Sequence, residues 1–482
     1  MLRVEQYLLG QSAILHRYRG IGRTQEEDAA AATTEESDPG ERTMHCIVGG
    51  AHAFILRVSS FFGLAPLKFE SRSNGYAVTI SNAMCAYSYI FVTALVIFTV
   101  LGLIAEINAG VEVSVRMSSR MSQVVSACDV LVVVVTAGAG VYGAPRRMRG
   151  MFKFMKSVAS VDINLGAQYS VLTERKLCAI LLAILVFFSG LLIDDFCLYA
   201  LQAQRLNRAW AVMANYIGFY LLWYVVMILE LQFAFTALSV RARFQAVNDA
   251  LCLTARHIAV PVPKAKVTNC LNVFAIRLSS SDARHCASVS LNVDALIDKD
   301  TTVIVRNAVS GEPKLVVPPC EAIRRLACLH GSLCDVVHRI DNSYGLPLIV
   351  ILISTLLHLI VTPYFLIMEM IISSNRIHFL VLQFLWCATH MLRMFVVVEP
   401  SHHTIVEGKR TEELICRLMT SVPSTGMLPS RLELFSRQLM LQTISYSPMG
   451  MCTLNRPLVV SVLGAVTTYL VILIQFQRYE TP

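Results

Sequence analysis

The stretch "TTYLVILIQF" at 467–476 decides how this chain is built. It is apolar almost throughout, yet it carries a hydrogen-bonding amide, Gln475, near its far end. Upstream, "RPLVVSVLGAV" continues the apolar run back to Pro457, a residue suited to the first turn of a helix. Residues 457–477 therefore form a segment of about 20 residues, the length a helix needs to cross a bilayer. Six further blocks of this kind precede it, at roughly 86–107, 124–144, 177–193, 210–238, 346–372 and 379–398. The fourth is long enough to extend beyond the bilayer and carries Glu230 near its far end.

Composition agrees with that reading. Of 482 residues, 55% are hydrophobic and 15% charged, against roughly 25% charged in soluble domains, and the mean hydropathy is +0.58. The chain reads as an all-α membrane protein with seven transmembrane helices. No basic run with interleaved aromatics points to nucleic acid. The 14 cysteines are scattered without a CxxC pair, so neither a metal site nor a disulfide framework is expected, and no cofactor is implied. Walker A, His/Glu metal and GxSxG patterns are absent, which speaks against an enzyme. No internal repeat of the transporter kind is visible. The start lacks the pattern of a signal peptide, and 24–43, acidic and without large apolar residues, reads as disordered.

Lysine and arginine give the orientation. The linker between the second and third blocks holds Arg146, Arg147, Arg149, Lys153, Lys156, Arg175 and Lys176. That between the first and second holds only Arg116 and Arg120, and that between the fifth and sixth only Arg376. The N-terminus, residues 1–80, is then cytoplasmic. Helices one to four occupy 81–240, a cytoplasmic loop 241–343, helices five and six 344–398, and a second cytoplasmic segment 399–456. The last helix, with a short extracellular tail, takes 457–482. This is the reverse of a G-protein-coupled receptor.

As a helix, the closing segment places Tyr469, Ile472, Gln475 and Phe476 along one face. Two readings fit. Gln475 can line a water-filled pore with Ile472 as an apolar constriction, or it can hold a bundle together through an interhelical hydrogen bond.

Thr468, Tyr469, five apolar residues, Gln475 and Phe476 resemble the C-terminal TYhhhhhQF signature of insect gustatory receptors, h being hydrophobic. "SYSPMGMCTLNRPLVVSVLGAVTTYLVILIQFQ" at 445–477 and "VVVEPSHHTIVEGKRTEELI" at 396–415 are similar to the fructose-sensing branch of that family. The likeness is strongest from 344 onward, weaker through the first four blocks, and absent from the first forty or so residues and much of 280–320. It implies a homotetramer, or a heteromer with other gustatory receptors, in the plasma membrane. That assembly would be a ligand-gated, non-selective cation channel opened by a sugar, with D-fructose the first candidate. Each subunit would give its last helix to a central pore, with Gln475 and Phe476 at the gate and Ile472 one turn deeper. The cytoplasmic ends would form an anchor domain that includes Glu399, His402, His403, Lys409, Arg410 and Asn455. His402 and His403 read as a solvated or hydrogen-bonded pair rather than as metal ligands.

A sugar pocket needs apolar faces for C–H surfaces together with polar groups for hydroxyls. "HFLVLQFLW" at 378–386 offers Gln383 and Trp386 on one helical face. "LHLIVTPYF" at 357–365 offers Thr362 and Tyr364 beside a kink expected at Pro363. By the same resemblance these four match sugar-lining positions. Asp194 or Asp195, at the expected outer end of the third block, can accept two sugar hydroxyls or can simply meet water. Asp129, His358 and His390 are expected to face the protein interior because polar groups are disfavoured in lipid. His358 is either the pocket floor or a histidine bonded to a neighbouring helix. Trp223 and Tyr224 read as core or interface aromatics, and Trp210 as an interfacial anchor. Two alternatives stay open: the same channel tuned to another sugar or a bitter compound, or a metabotropic seven-helix receptor.

Overall fold

The computed structural model describes residues 44–72, 75–110, 120–166, 168–169, 171–258, 269–270, 274–278, 302–306, 313–372, 377–423 and 426–480. The acidic segment at 24–43 and most of 280–320 lie outside them. Two compact units divide the chain. Of the smaller, Met1–Met44 with Leu278–Cys286, only Met44 and Leu278 are described, each within a strand. The larger, His45–Arg277 with Ala287–Pro482, contains every helix described below.

Its entry is a short helix, α1 (Gly50–Phe61), followed by an antiparallel hairpin of β1 (Leu67–Arg72) and β2 (Gly75–Ile80), registered Leu67 to Ile80 and Phe69 to Val78. The hairpin leads into α2 (Asn82–Ala109), then α3 (Arg120–Tyr142), α4 (Ala144–Asn164), α5 (Val171–Gln204) and α6 (Ala209–His257). The second half holds α7 (Pro319–Ile372), α8 (Ile377–Ser421), α9 (Leu428–Leu441) and α10 (Arg456–Glu480). Among the described residues seven helices are long and apolar enough to cross a membrane: α2, α3, α5, α6, α7, α8 and α10. Each contains one of the seven apolar blocks.

The blocks underestimate four of these helices. At 1.5 Å per residue, α6 with 49 residues, α7 with 54 and α8 with 45 run roughly 65–80 Å, more than twice the hydrocarbon thickness. Their surplus turns form a helical bundle at the end of the molecule that carries the basic linkers. The third block also continues, α5 running to Gln204, so Asp194 and Asp195 lie inside a helix rather than at its end. The helix α7 passes through Pro347 and Pro363 as one element. Pro363 lacks the N–H that would meet the Leu359 carbonyl, and the helix continues through it.

Helix α6 is the axis of the fold. Of its apolar window 83% is buried, and it touches α2, α3, α5, α7 and α8. Close approach to α2 depends on small residues: a Cβ added to Gly102 would fall 2.1 Å from the Asn215 carbonyl oxygen. In the surplus bundle, Arg243 of α6 makes a buried bidentate pair with Asp162 of α4, at 2.7 and 3.1 Å. Asn248 donates to Glu407 of α8 and accepts from Thr411, at 2.9 and 2.7 Å. These buried pairs each join two helices, which fixes their register.

The last helix is held differently. Only 11% of the apolar window of α10 is buried. Val459 and Val466, seven residues apart on one face, pack with Leu359 of α7 and with Met394 and Val398 of α8 in a small separate core. Its start is fixed by Asn455, whose Oδ1 accepts from the Leu458 amide at 3.4 Å. Beside it Arg456 pairs with Glu399, whose carboxylate also meets His403 Nε2 at 3.0 Å.

Candidate functional site

Towards the end opposite the basic linkers, α5, α6, α7 and α8 converge on Trp386. Its ring meets Phe188 edge-on at 6.3 Å, lies 5.6 Å from Trp223 and stacks on His390 at 5.5 Å. Its Nε1 donates to Asp195 Oδ1 at 3.3 Å, and the Tyr220 hydroxyl donates to the other oxygen, Oδ2. One buried carboxylate is therefore fixed by an indole and a phenol, with Phe196 edge-on to Tyr220 at 5.2 Å. Flat apolar rings beside an oriented carboxylate are the chemistry that a polyhydroxylated ligand requires.

Beneath this cluster runs a line of charged and polar side chains. His358 and His390 stack at 4.7 Å, and Trp223 stands edge-on to His358 at 5.0 Å. His358 Nδ1 faces both the carbonyl and the hydroxyl of Ser354, one turn earlier on α7. Its Nε2 lies 2.6 Å from Asp129 Oδ1 of α3. On the other side, Arg393 Nη1 faces His390 Nδ1 at 3.3 Å, and the guanidinium lies 4.7 Å from the Trp223 ring centre. Its Nη2 reaches Glu230 Oε1 at 2.6 Å, while Nε meets both carboxylate oxygens at 3.1 Å. Both side chains of that pair are fully buried.

A family model described as "7tm chemosensory receptor" matches residues 52–480. The chain belongs to that family. It is 30% identical over 438 residues to the gustatory receptor for sugar taste 43a of Drosophila melanogaster, covering 88% of this chain and 97% of that receptor. It is 27% identical to gustatory receptor 28a of the same fly over 168 residues, 33% of this chain and 36% of the relative. The solved insect olfactory receptor OR5 from Machilis hrabei, in complex with eugenol, shares the fold at a TM-score of 0.51 and 11% identity, over 88% of this chain and 97% of that one. This chemosensory receptor is thus a multi-pass membrane protein of the insect gustatory type.

Within the receptor, the anticipated residues separate. Trp386 and Asp195 meet directly, and His358 lies one layer deeper against Trp223. Thr362 and Tyr364 are buried on α7, and Gln383 is half-buried one turn before Trp386. Asp194 turns away and faces His378 at 3.4 Å, both of them substantially exposed. His358 is bonded to a neighbouring helix through Asp129 and packs against Trp223 beneath the aromatic cluster. Trp223, read as a core aromatic, is the centre on which both layers pack. Trp210 is 83% exposed at the start of α6. On α10, Tyr469, Ile472 and Gln475 are exposed along one face, while the side chain of Phe476 lies outside the described residues.

Sequence reading missed Tyr220, Phe188 and the Glu230–Arg393 pair. The signal available was Glu230 in the apolar block of α6 and Arg393 in that of α8, two opposite charges in segments where an unpaired charge is strongly disfavoured.

Proposed function

We propose that this receptor is a ligand-gated, non-selective cation channel opened by a sugar, D-fructose first among the candidates. Four copies surround one pore, and the N-terminus lies in the cytoplasm of a cell whose plasma membrane holds the channel. The observation that carries the ligand reading is the buried Asp195 carboxylate, oriented by Tyr220 and Trp386 among aromatic rings. Gln383, Thr362 and Tyr364 supply further polar groups around it and His358 lies at its floor, while Asp194 faces away towards His378. The name of the fly relative, a receptor for sugar taste, supports the same ligand class.

The pore reading is supported by α10, which keeps most of its surface outside the fold of its own subunit and presents Tyr469, Ile472 and Gln475 together. In lipid, burial of apolar side chains gives no solvent-driven stabilisation, so the small core of Val459 and Val466 holds α10 by packing alone. A helix held that lightly can be displaced by a ligand that prefers one arrangement of α7 and α8 over another. Gln475 and Phe476 would then meet ions at the gate, with Ile472 as the constriction.

Whole-cell recording with a panel of monosaccharides, on cells expressing this chain alone, tests the proposal. Fructose-evoked current that disappears in Gln383→Ala and Trp386→Ala at normal surface expression supports the pocket, and Gln475→Ala should change permeability or basal current. Current evoked only by another tastant replaces the ligand. An extracellularly inaccessible C-terminal tag, or responses that need a G protein, would overturn the channel reading.

A further inference from the structure

Helix α4 begins two residues after the membrane helix α3 ends, and its exposed face is basic. Its exposed positions are Arg146, Arg149, Lys153, Lys156 and Ser160. The four cations, spaced three, four and three residues apart, form one stripe along the helix. The opposite face is sealed against the bundle through Met148, Met151, Phe154, Met155 and Val158. Arg147 belongs to that buried side, where it donates to the Gly140 and Leu64 carbonyls at 2.7 and 2.8 Å. The helix has one carboxylate, Asp162, and Arg243 occupies it.

The stripe differs from four exposed arginines elsewhere in the receptor. Arg324, Arg410, Arg417 and Arg437 each pair with a glutamate three or four residues earlier on the same helix. On α4 no such glutamate exists, and among the described residues none of the four cations forms an ion pair. From Arg146 to Lys156 the stripe runs about 15 Å along the helix.

We infer that this stripe is a docking face for anionic lipid headgroups at the membrane border beside α3. The exposed positions of α4 include no large apolar residue, so the helix does not insert; it binds by charge alone, and salt weakens it. The physiological setting rests on the orientation proposed above, because anionic lipid is concentrated in the cytoplasmic leaflet. The binding itself does not, and symmetric membranes separate the two.

The full-length receptor is reconstituted into phosphatidylcholine vesicles containing a trace of spin-labelled phosphatidylserine or spin-labelled phosphatidylcholine. The motionally restricted fraction of each label is then compared. Wild type should favour the serine lipid by about fivefold or more, the effect of one fully engaged cation. The preference should fall towards unity in R146Q/R149Q/K153Q/K156Q and persist in R146K/R149K. Wild type alone gives a second measurement, since the preference should collapse in about 1 M salt, where screening shortens to about 3 Å. Equal restriction of both labels in wild type overturns the inference and leaves the stripe to a soluble acidic partner. A preference that survives the fourfold neutralisation or high salt overturns it as well. Tag accessibility in intact cells reads orientation separately, so a reversed topology would not be mistaken for absent lipid binding.

Discussion

Replacing Arg393 by Met isolates what the buried pair contributes. The guanidinium makes three contacts of 2.6–3.1 Å with Glu230, in a place where neither side chain meets solvent. Removing one partner leaves a buried carboxylate uncompensated, which costs about 3–5 kcal/mol. At tenfold per 1.4 kcal/mol, the folded population falls by about 100- to 4,000-fold relative to the unfolded. Loss of the contact with Trp223 adds to this, because a desolvated cation over an indole contributes about 2 kcal/mol. Replacing both partners by Met removes the two charges together and should recover most of the loss, whereas Arg393→Lys keeps the charge but not the fork and should fall between. Heat challenge of the detergent-extracted receptor, followed by size-exclusion chromatography of the surviving monodisperse fraction, ranks the four proteins. If Arg393→Met survives like wild type, or the double variant no better than Arg393→Met, the pair does not stabilise the bundle in the way its geometry requires.

Three further outcomes follow from particular contacts. Asp195→Asn weakens two bonds to a charged acceptor, each worth about 1.5–3 kcal/mol, and should abolish or strongly right-shift the sugar response, whereas Asp194→Asn, exposed beside His378, should leave the dose–response curve unchanged. Indistinguishable curves for the two would contradict the assignment of the inward carboxylate. Gly102→Ala drives a methyl into the Asn215 backbone and should remove most surface expression, while Gly190→Ala, where nothing lies within 4 Å, should express normally; surface biotinylation reads both. His52 is buried on α1, with its pKa lowered from 6.5 to about 3 by burial and by the charge of Arg243. The unfolded chain therefore binds a proton that the folded one does not, and stability is lost as pH falls below 6.5, by about 1.4 kcal/mol per unit. His52→Leu should flatten that acid limb in a detergent stability series at pH 7.5 and 5.5, and an unchanged slope would show that other groups set it.

The membrane helices were legible because twenty apolar residues in a row have few other destinations. The surplus turns of α7 were not, since "CEAIRRLACLHGSLCDVVHRIDNS" at 320–343 is mixed in polarity and sits in a segment read as loop. Its buried set, Ile323, Leu326, Leu333, Val337 and Ile340, nevertheless keeps helical spacing and was the signal to follow. Helix α4 carries the same kind of pattern in Met148, Met151, Met155 and Val158. The choice between Asp194 and Asp195 was beyond sequence for a geometric reason. Neighbouring side chains on a helix diverge by about 100°, and only packing against α6 and α8 determines which one turns in.

That same divergence links the two ends of the proposed mechanism. His358 and Leu359 are adjacent on α7, and Arg393 and Met394 are adjacent on α8. The first of each pair points into the polar layer under Trp386, with Asp129 and Glu230 as partners. The second of each points into the small core that holds Val459 and Val466 of α10. A single turn of each helix thus serves as the floor of the aromatic cluster on one side and as the seat of the terminal helix on the other. Close-packed interiors respond to a rotation of such a turn by repacking both faces rather than by absorbing it on one. A ligand seated against Trp386 therefore need not reach α10: tilting α7 or α8 at this level changes the shape against which Val466 rests.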